Sequence, residues 1–167
     1  AAPLKIDISQ IYFSAKDVSL TQKFPFKGEC SVLGSRKNVG FQGSIKPDIE
    51  KQQVRFLDVL VNGDVKNFSA EKMRAVFPLL AAWGLDAMEG KIENVIHFLV
   101  VGAGGLQDLS AQGAFLGVRV SLQDQLFPDG DTHLEYELTQ RELKIPKWQA
   151  WIGDGNIQGH AKIYNYL

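Results

Sequence analysis

Period-two alternation of apolar and polar residues, repeated along most of the chain, restricts what this sequence can fold into more than any other feature. Phe24, Phe26, Gly28, Cys30 and Val32 alternate with Lys27, Glu29 and Ser31. After the turn-forming stretch Gly34-Ser-Arg-Lys-Asn38, Val39, Phe41, Gly43 and Ile45 alternate with Gln42, Ser44 and Lys46. Successive side chains of a strand point to opposite faces, so runs of this kind describe half-buried antiparallel strands joined by hairpins. Ile6 and Ile8 alternate in the same way, and Pro47-Asp48 closes the third run. Another strand is expected over 53–61, where Phe56-Leu57 breaks the phase and implies a bulge. Further strands are expected near 88–100, 106–121, 132–138, 142–150 and 155–165. Phe127-Pro-Asp-Gly-Asp131 reads as a loop and Gly153-Asp-Gly155 as a tight turn.

One segment departs from this period. Between Ser69 and Trp83 the apolar residues fall at Met73, Val76, Phe77, Leu80 and Trp83, the spacing of one helical face. Ser69 is suited to the N-cap and Gly84 to the position just past the end. Pro78 removes a hydrogen bond inside that segment, so a kink or a break into two short helices is expected. The fold class is therefore mainly β with one helical segment (α+β by strict count): a curved, trough-like antiparallel sheet with a kinked helix near 69–83 packed on it.

A short pattern recurs inside the strands: Phe26-Lys-Gly28, Phe41-Gln-Gly43-Ser-Ile45, Met88-Glu-Gly90-Lys-Ile92 and Ile157-Gln-Gly159-His-Ala161. Glycine weakens a strand, so its repetition there has a reason. Either it lets a coiled sheet bend, or it makes room for a neighbouring large side chain. The spacing is irregular, unlike that of a solenoid repeat.

Composition removes several classes of function. Eighteen basic residues against nineteen acidic ones, spread along the chain with no basic run longer than Arg36-Lys37, leave no basic patch for nucleic acid. The apolar stretch Val95 to Val101, interrupted by His97, is far shorter than the ~20 residues of a membrane-spanning helix, so no transmembrane segment is expected. The one cysteine, Cys30, lies in an alternating run and reads as a small core residue. At 167 residues a single domain, 1–167, is expected. Its opening on Ala1 and its stop within the strand-like Ala161-Lys-Ile-Tyr-Asn-Tyr read as the cut ends of a piece of a longer protein.

Several stretches together resemble the AsmA-like family of bacterial envelope proteins related to TamB, which includes chains known only as a domain of unknown function. They are Leu4-Lys-Ile-Asp-Ile-Ser-Gln-Ile followed by Asp17-Val-Ser-Leu; Val39-Gly-Phe-Gln-Gly-Ser-Ile with Pro47; Trp83-Gly-Leu-Asp-Ala-Met-Glu-Gly-Lys-Ile; and Glu142-Leu-Lys-Ile-Pro-Lys-Trp-Gln-Ala-Trp followed by Gly153-Asp-Gly-Asn-Ile-Gln-Gly-His-Ala. The resemblance is one of texture, in glycine and aliphatic residues, with no signature polar residue. It implies a long sheet curled into a trough with an apolar inner surface, carrying lipid between two membranes or supporting outer-membrane assembly. The implied location is the bacterial periplasm or cell envelope, and no catalytic residues come with it.

No motif for catalysis stands out. His97, His133 and His160 are far apart and lack metal-ligand spacing. No GxSxG elbow occurs, so no enzyme, cofactor or metal is expected. Asp129-Gly-Asp131 and Asp154-Gly-Asn156 are fragments of calcium loops that do not continue, and Val101-Gly-Ala-Gly-Gly-Leu106 lacks the helix a phosphate site needs. The apolar faces remain. Val39, Phe41, Ile45, Phe98, Phe115, Val118 and Val120 are the candidate lining of a groove for phospholipid acyl chains, each buried methylene contributing about 0.8 kcal/mol. Alternation looks the same in an open trough and a closed core, so a structural or protein-interaction module, pairing with adjacent domains of the parent protein through its sheet edges, stands as the alternative. A closed, lipocalin-like barrel ranks last, because a helix in mid-chain fits it poorly.

Overall fold

The computed structural model describes residues 8–34, 36–64, 68–76, 85–122, 125–127, 132–152 and 155–164, with side chains omitted at 76, 85–88, 118, 120–122, 125–127 and 151–152. The strands are β1 (Ile8–Ala15), β2 (Phe24–Val32), β3 (Val39–Asp48), β4 (Gln53–Asp64), β5 (Leu85–Gly102), β6 (Gly105–Leu122), β7 (Gln125–Phe127), β8 (His133–Thr139), β9 (Glu142–Ile152) and β10 (Gly155–Tyr164). They form one antiparallel sheet in the order β1-β2-β3-β4-β5-β6-β8-β9-β10, with β7 paired to the end of β6. Every step along this path joins consecutive strands except β6 to β8, between which the short β7 pairs back on the end of β6. Among the described residues no ladder joins β1 to β10, so the sheet is open and the closed-barrel reading is set aside.

β2–β6 and β8–β10 stand where alternation placed strands, with β5 and β6 longer than expected at 18 residues each; β1 begins at Ile8 and runs on to Ala15, past the expected Ile6–Ile8 alternation, and the short β7 was not expected. The hairpin between β2 and β3 is held by side chains typical of turns. Asn38 accepts a hydrogen bond from the Val32 N–H at 2.8 Å and donates to its carbonyl at 2.9 Å. Ser31, fully buried, donates to the Gly34 carbonyl at 2.8 Å.

The helix is described over α1, Ala70–Val76. Ser69 is its N-cap: the hydroxyl accepts from the Lys72 N–H at 3.3 Å, and the Ser69 carbonyl accepts from Met73. The Ser69 N–H donates to the Leu33 carbonyl at 2.7 Å, which ties the start of α1 to the end of β2, and Met73 is buried. The expected continuation through Pro78 to Trp83, with its kink, lies outside the described residues, as does most of the expected loop at 127–131.

Bulges change the phase of several strands. In β4, Gln42 faces Leu60 but Ser44 faces Leu57, so Asp58 and Val59 together stand against Gly43. Asp58 is the extra residue and adopts the left-handed conformation, φ 51°. The phase break read at Phe56-Leu57 is therefore real and falls one residue later. Its neighbour β5 carries a matching insertion at His97, because Ile96 faces Ala111 while Phe98 faces Ser110. Two further bulges lie in β1 at Gln10, φ 50°, and in β9 around Pro146. Proline has no N–H to give a ladder, and a bulge is where a strand tolerates it.

The core sits at the β1–β5 side of the sheet. Phe24, Phe26, Ile45 and Val59 are buried, with Ala15, Phe41, Phe56, Val61 and Ile96 packed against them. Phe26 is the hub: its ring lies 5.5 Å from Phe13, 6.2 Å from Phe41 and, edge-on, 5.9 Å from Phe56. Cys30 is buried, and burial pushes its thiol pKa up.

Candidate functional site

Residues directly opposite each other in an antiparallel ladder share a face, so the register sorts side chains without reference to shape. One row crosses the sheet as Phe13, Gly28, Phe41, Val61, Asn94, Gly113 and Tyr136. Beside it runs Cys30, Val39, Gly63, Ile92, Phe115, Leu134, Trp148 and Gly159. On the other flank, Ala15, Phe26 and Gly43 lead through the β4 bulge to Val59, Ile96, Ala111, Leu138, Leu143 and Ile163. Past the bulges, Phe24, Ile45, Phe56, Leu99 and Leu109 continue the same surface. No charged residue occupies any of these rows. The bulges at Asp58 and His97 preserve this: without an inserted residue, Phe56 and Leu99 would turn to the other side.

The opposite face is polar and charged. One of its rows runs Lys27, Gln42, Leu60, Val95, Gln112, Glu137, Lys144 and Lys162. Cross-strand ion pairs lace it: Lys144 lies 3.6 Å from Glu137 and 3.4 Å from Glu142, and Lys162 lies 2.6 Å from Glu142. The hydrogen bond from Lys162, then that from Lys144, holds the Glu142 carboxyl below its ordinary range despite partial desolvation. Shallow, open depressions of about 390–440 Å³ dent this side, one lined by Leu60, Glu93, Gln112, Glu135 and Glu137, another by Lys27, Gln42, Ser44 and Asp58.

Five of the seven residues singled out from sequence can be placed by their side chains. Val39, Phe41, Ile45 and Phe115 share the apolar face; Ile45 is buried in the core, while the other three are half-buried. Phe98 does not join them. It stands opposite Leu57, which stands opposite Ser44, so it lies on the other face from Ile45. The inserted His97 is the reason: counted by simple alternation from Ile92 and Ile96, Phe98 falls on the apolar side, and the bulge turns it over. Val118 and Val120 belong to β6, Val120 opposite Met88, and their side chains lie outside the described residues.

Sequence reading did not single out Val59, Ile92, Ile96, Leu134, Tyr136 or Trp148, all on the apolar face. The signal was present, since the strands containing them had been located. What was missing was the register that aligns β8 and β9 with β3.

Exposure along this face is uneven. It is closed over Phe24, Phe26, Ile45 and Val59, half-open across β6 and β8, and open at β10, where Ile157 and Ile163 are each 47% exposed. Among the described residues, no cluster of three or more His, Cys, Asp or Glu is arranged to hold a metal. His133 pairs with Glu135 at 2.7 Å, and His97 and His160 are exposed on other strands. No helix in the described part is long and apolar enough to cross a membrane.

Comparisons with models of protein families, with curated proteins and with solved structures find no match.

Proposed function

We propose that the chain is a non-catalytic envelope domain of the AsmA-like kind, whose apolar sheet face curls into a trough that binds lipid acyl chains. The observation that carries this reading is the set of charge-free rows among the described residues, one of which crosses the whole sheet from Ala15 on β1 to Ile163 on β10. A core alone calls for an apolar patch that ends where burial ends. Here the apolar rows continue across β8, β9 and β10, where side chains are half-buried or exposed. Among the described residues α1 is tied through Ser69 to Leu33 at the end of β2 and contacts β5, while the apolar rows on the β8–β10 side are half-buried or exposed. Acyl chains then enter from that side and are held by area rather than by polar contacts. Transfer between membranes, or support of outer-membrane assembly, in the bacterial periplasm follows from the family resemblance.

Native mass spectrometry of the purified protein, with lipid extraction from the same sample, tests this reading. Phospholipid is expected to co-purify, and Phe115→Asp, which places a carboxylate beside Leu134 and Tyr136, is expected to remove most of it with the circular dichroism spectrum unchanged. A ligand-free mass under gentle conditions contradicts the reading.

One observation favours the structural-module reading. β1 is an edge strand with no charged residue, and Ile8, Ile11, Tyr12 and Phe13 on it are more than half exposed. The other edge, β10, carries Lys162. Exposed apolar edges without charges are where further strands add, so β1 is the edge at which a neighbouring domain would continue the sheet.

A further inference from the structure

The apolar face contains one neutral polar pair, and it lies in mid-sheet. Asn94 on β5 and Tyr136 on β8 both stand opposite Gly113 of β6, in the row that begins at Phe13 and Phe41. The Tyr136 hydroxyl donates to Asn94 Oδ1 at 2.5 Å, so the two side chains meet above Gly113. A Cβ at position 113 would fall on the Asn94 amide, so glycine is what lets the pair close. The Tyr136 ring lies 5.9 Å from Phe115, and burial raises its hydroxyl pKa, which keeps it a neutral donor.

This arrangement leaves capacity unused. With Oδ1 taken by Tyr136, the Asn94 Nδ2 group has two N–H donors, and among the described residues none is satisfied by a hydrogen bond. Asn94 is only half-buried. Water is the acceptor while the face is open, but once acyl chains cover it a polar group without a partner is costly, so the covering ligand is favoured if it brings an acceptor.

Resting on the lipid-trough reading, we propose that Asn94, oriented by Tyr136, is a hydrogen-bond donor site for a neutral carbonyl of the bound lipid, the ester group of an acyl chain. The chemistry selects this class. A carboxylate or phosphate would lie on a face with no cation in any of its rows, whereas an ester carbonyl needs one N–H and brings no charge. Asn94 touches the ligand, and Tyr136 is a positioning residue that acts through it.

The test uses two probes of matched length, methyl laurate and dodecane, titrated into the full chain and followed by the Asn94 side-chain amide signal in proton–nitrogen spectra. Both are expected to bind, the ester about tenfold more tightly, as one neutral hydrogen bond allows, and only the ester shifts the Asn94 amide. Asn94→Leu is expected to abolish the preference while dodecane binding stays. Tyr136→Phe keeps the ring against Phe115, guards against a folding artefact, and is expected to reduce the preference several-fold. Equal affinity for ester and alkane, or a preference that survives Asn94→Leu, overturns the donor site and leaves the trough standing. Failure of both probes to bind overturns the trough and the donor site together.

Discussion

Phe26→Ala is expected to lower the stability of the protein by about 3–5 kcal/mol, the range for removing a large aromatic side chain from a packed core. Phe26 is only 6% exposed and touches three other aromatic rings, contributed by β1, β3 and β4. Its removal leaves a void that no neighbour fills easily, because Gly43, directly opposite on β3, has no side chain to move in. Natural domains are stable by only about 5–15 kcal/mol in all, so this substitution takes a large fraction of the total. Urea unfolding followed by circular dichroism measures it as a lower midpoint at unchanged slope. A loss below about 1 kcal/mol would mean that the aromatic cluster is not the core of the sheet.

The second large effect is expected at Gly28. A Cβ there would fall on the edge of the Phe41 ring and on the carbonyl oxygen of Tyr12, both far inside contact distance. The ring can turn away, but the Tyr12 carbonyl belongs to the ladder that holds β1 on the sheet. Gly28→Ala therefore either displaces β1 or forces Phe41 out of its place beside Phe26. Overpacking of this kind costs typically about 1–3 kcal/mol, and the backbone clash places Gly28→Ala at the upper end. Unfolding midpoints of Gly28→Ala and the doubly substituted Gly28→Ala/Phe41→Ala separate the two causes. If the clash with the ring dominates, the Gly28 substitution is much less costly in the Phe41→Ala background; if the β1 carbonyl dominates, its cost is the same in both.

Much of the sheet was legible in the sequence because the chain is a meander. Each hairpin pairs strands adjacent in sequence, so finding the strands nearly amounts to finding the sheet order. The in-strand glycines were legible too, and making room for a large side chain is the explanation that operates at two of them. Gly28 makes room for Phe41 and Gly159 for the Trp148 indole, whereas Gly90 adopts φ 126° next to a shift in the β5–β6 register. The candidate site was only partly legible. Alternation sorts residues within a strand and says nothing of an inserted one, so Phe98 was assigned to the apolar face from which His97 removes it. A charged or polar residue such as His97 or Asp58 inside an apolar run does not announce whether it faces solvent by alternation or by bulging. The Asn94–Tyr136 pair was invisible for a different reason, since 42 residues separate the partners and only the β5–β6–β8 register brings them together.

Photo-labelling distinguishes acyl chains that lie on the apolar face from acyl chains bound anywhere else. Vesicles of phosphatidylcholine bearing a diazirine near the end of one acyl chain are mixed with the protein, irradiated, and the adducts mapped by peptide mass spectrometry. Adducts are expected on Phe115, Leu134, Leu138 and Trp148, with Glu135 and Glu137 between them unlabelled. Labelling spread evenly over both faces of β8, or none above the background of a denatured control, would contradict the assignment of this face to lipid.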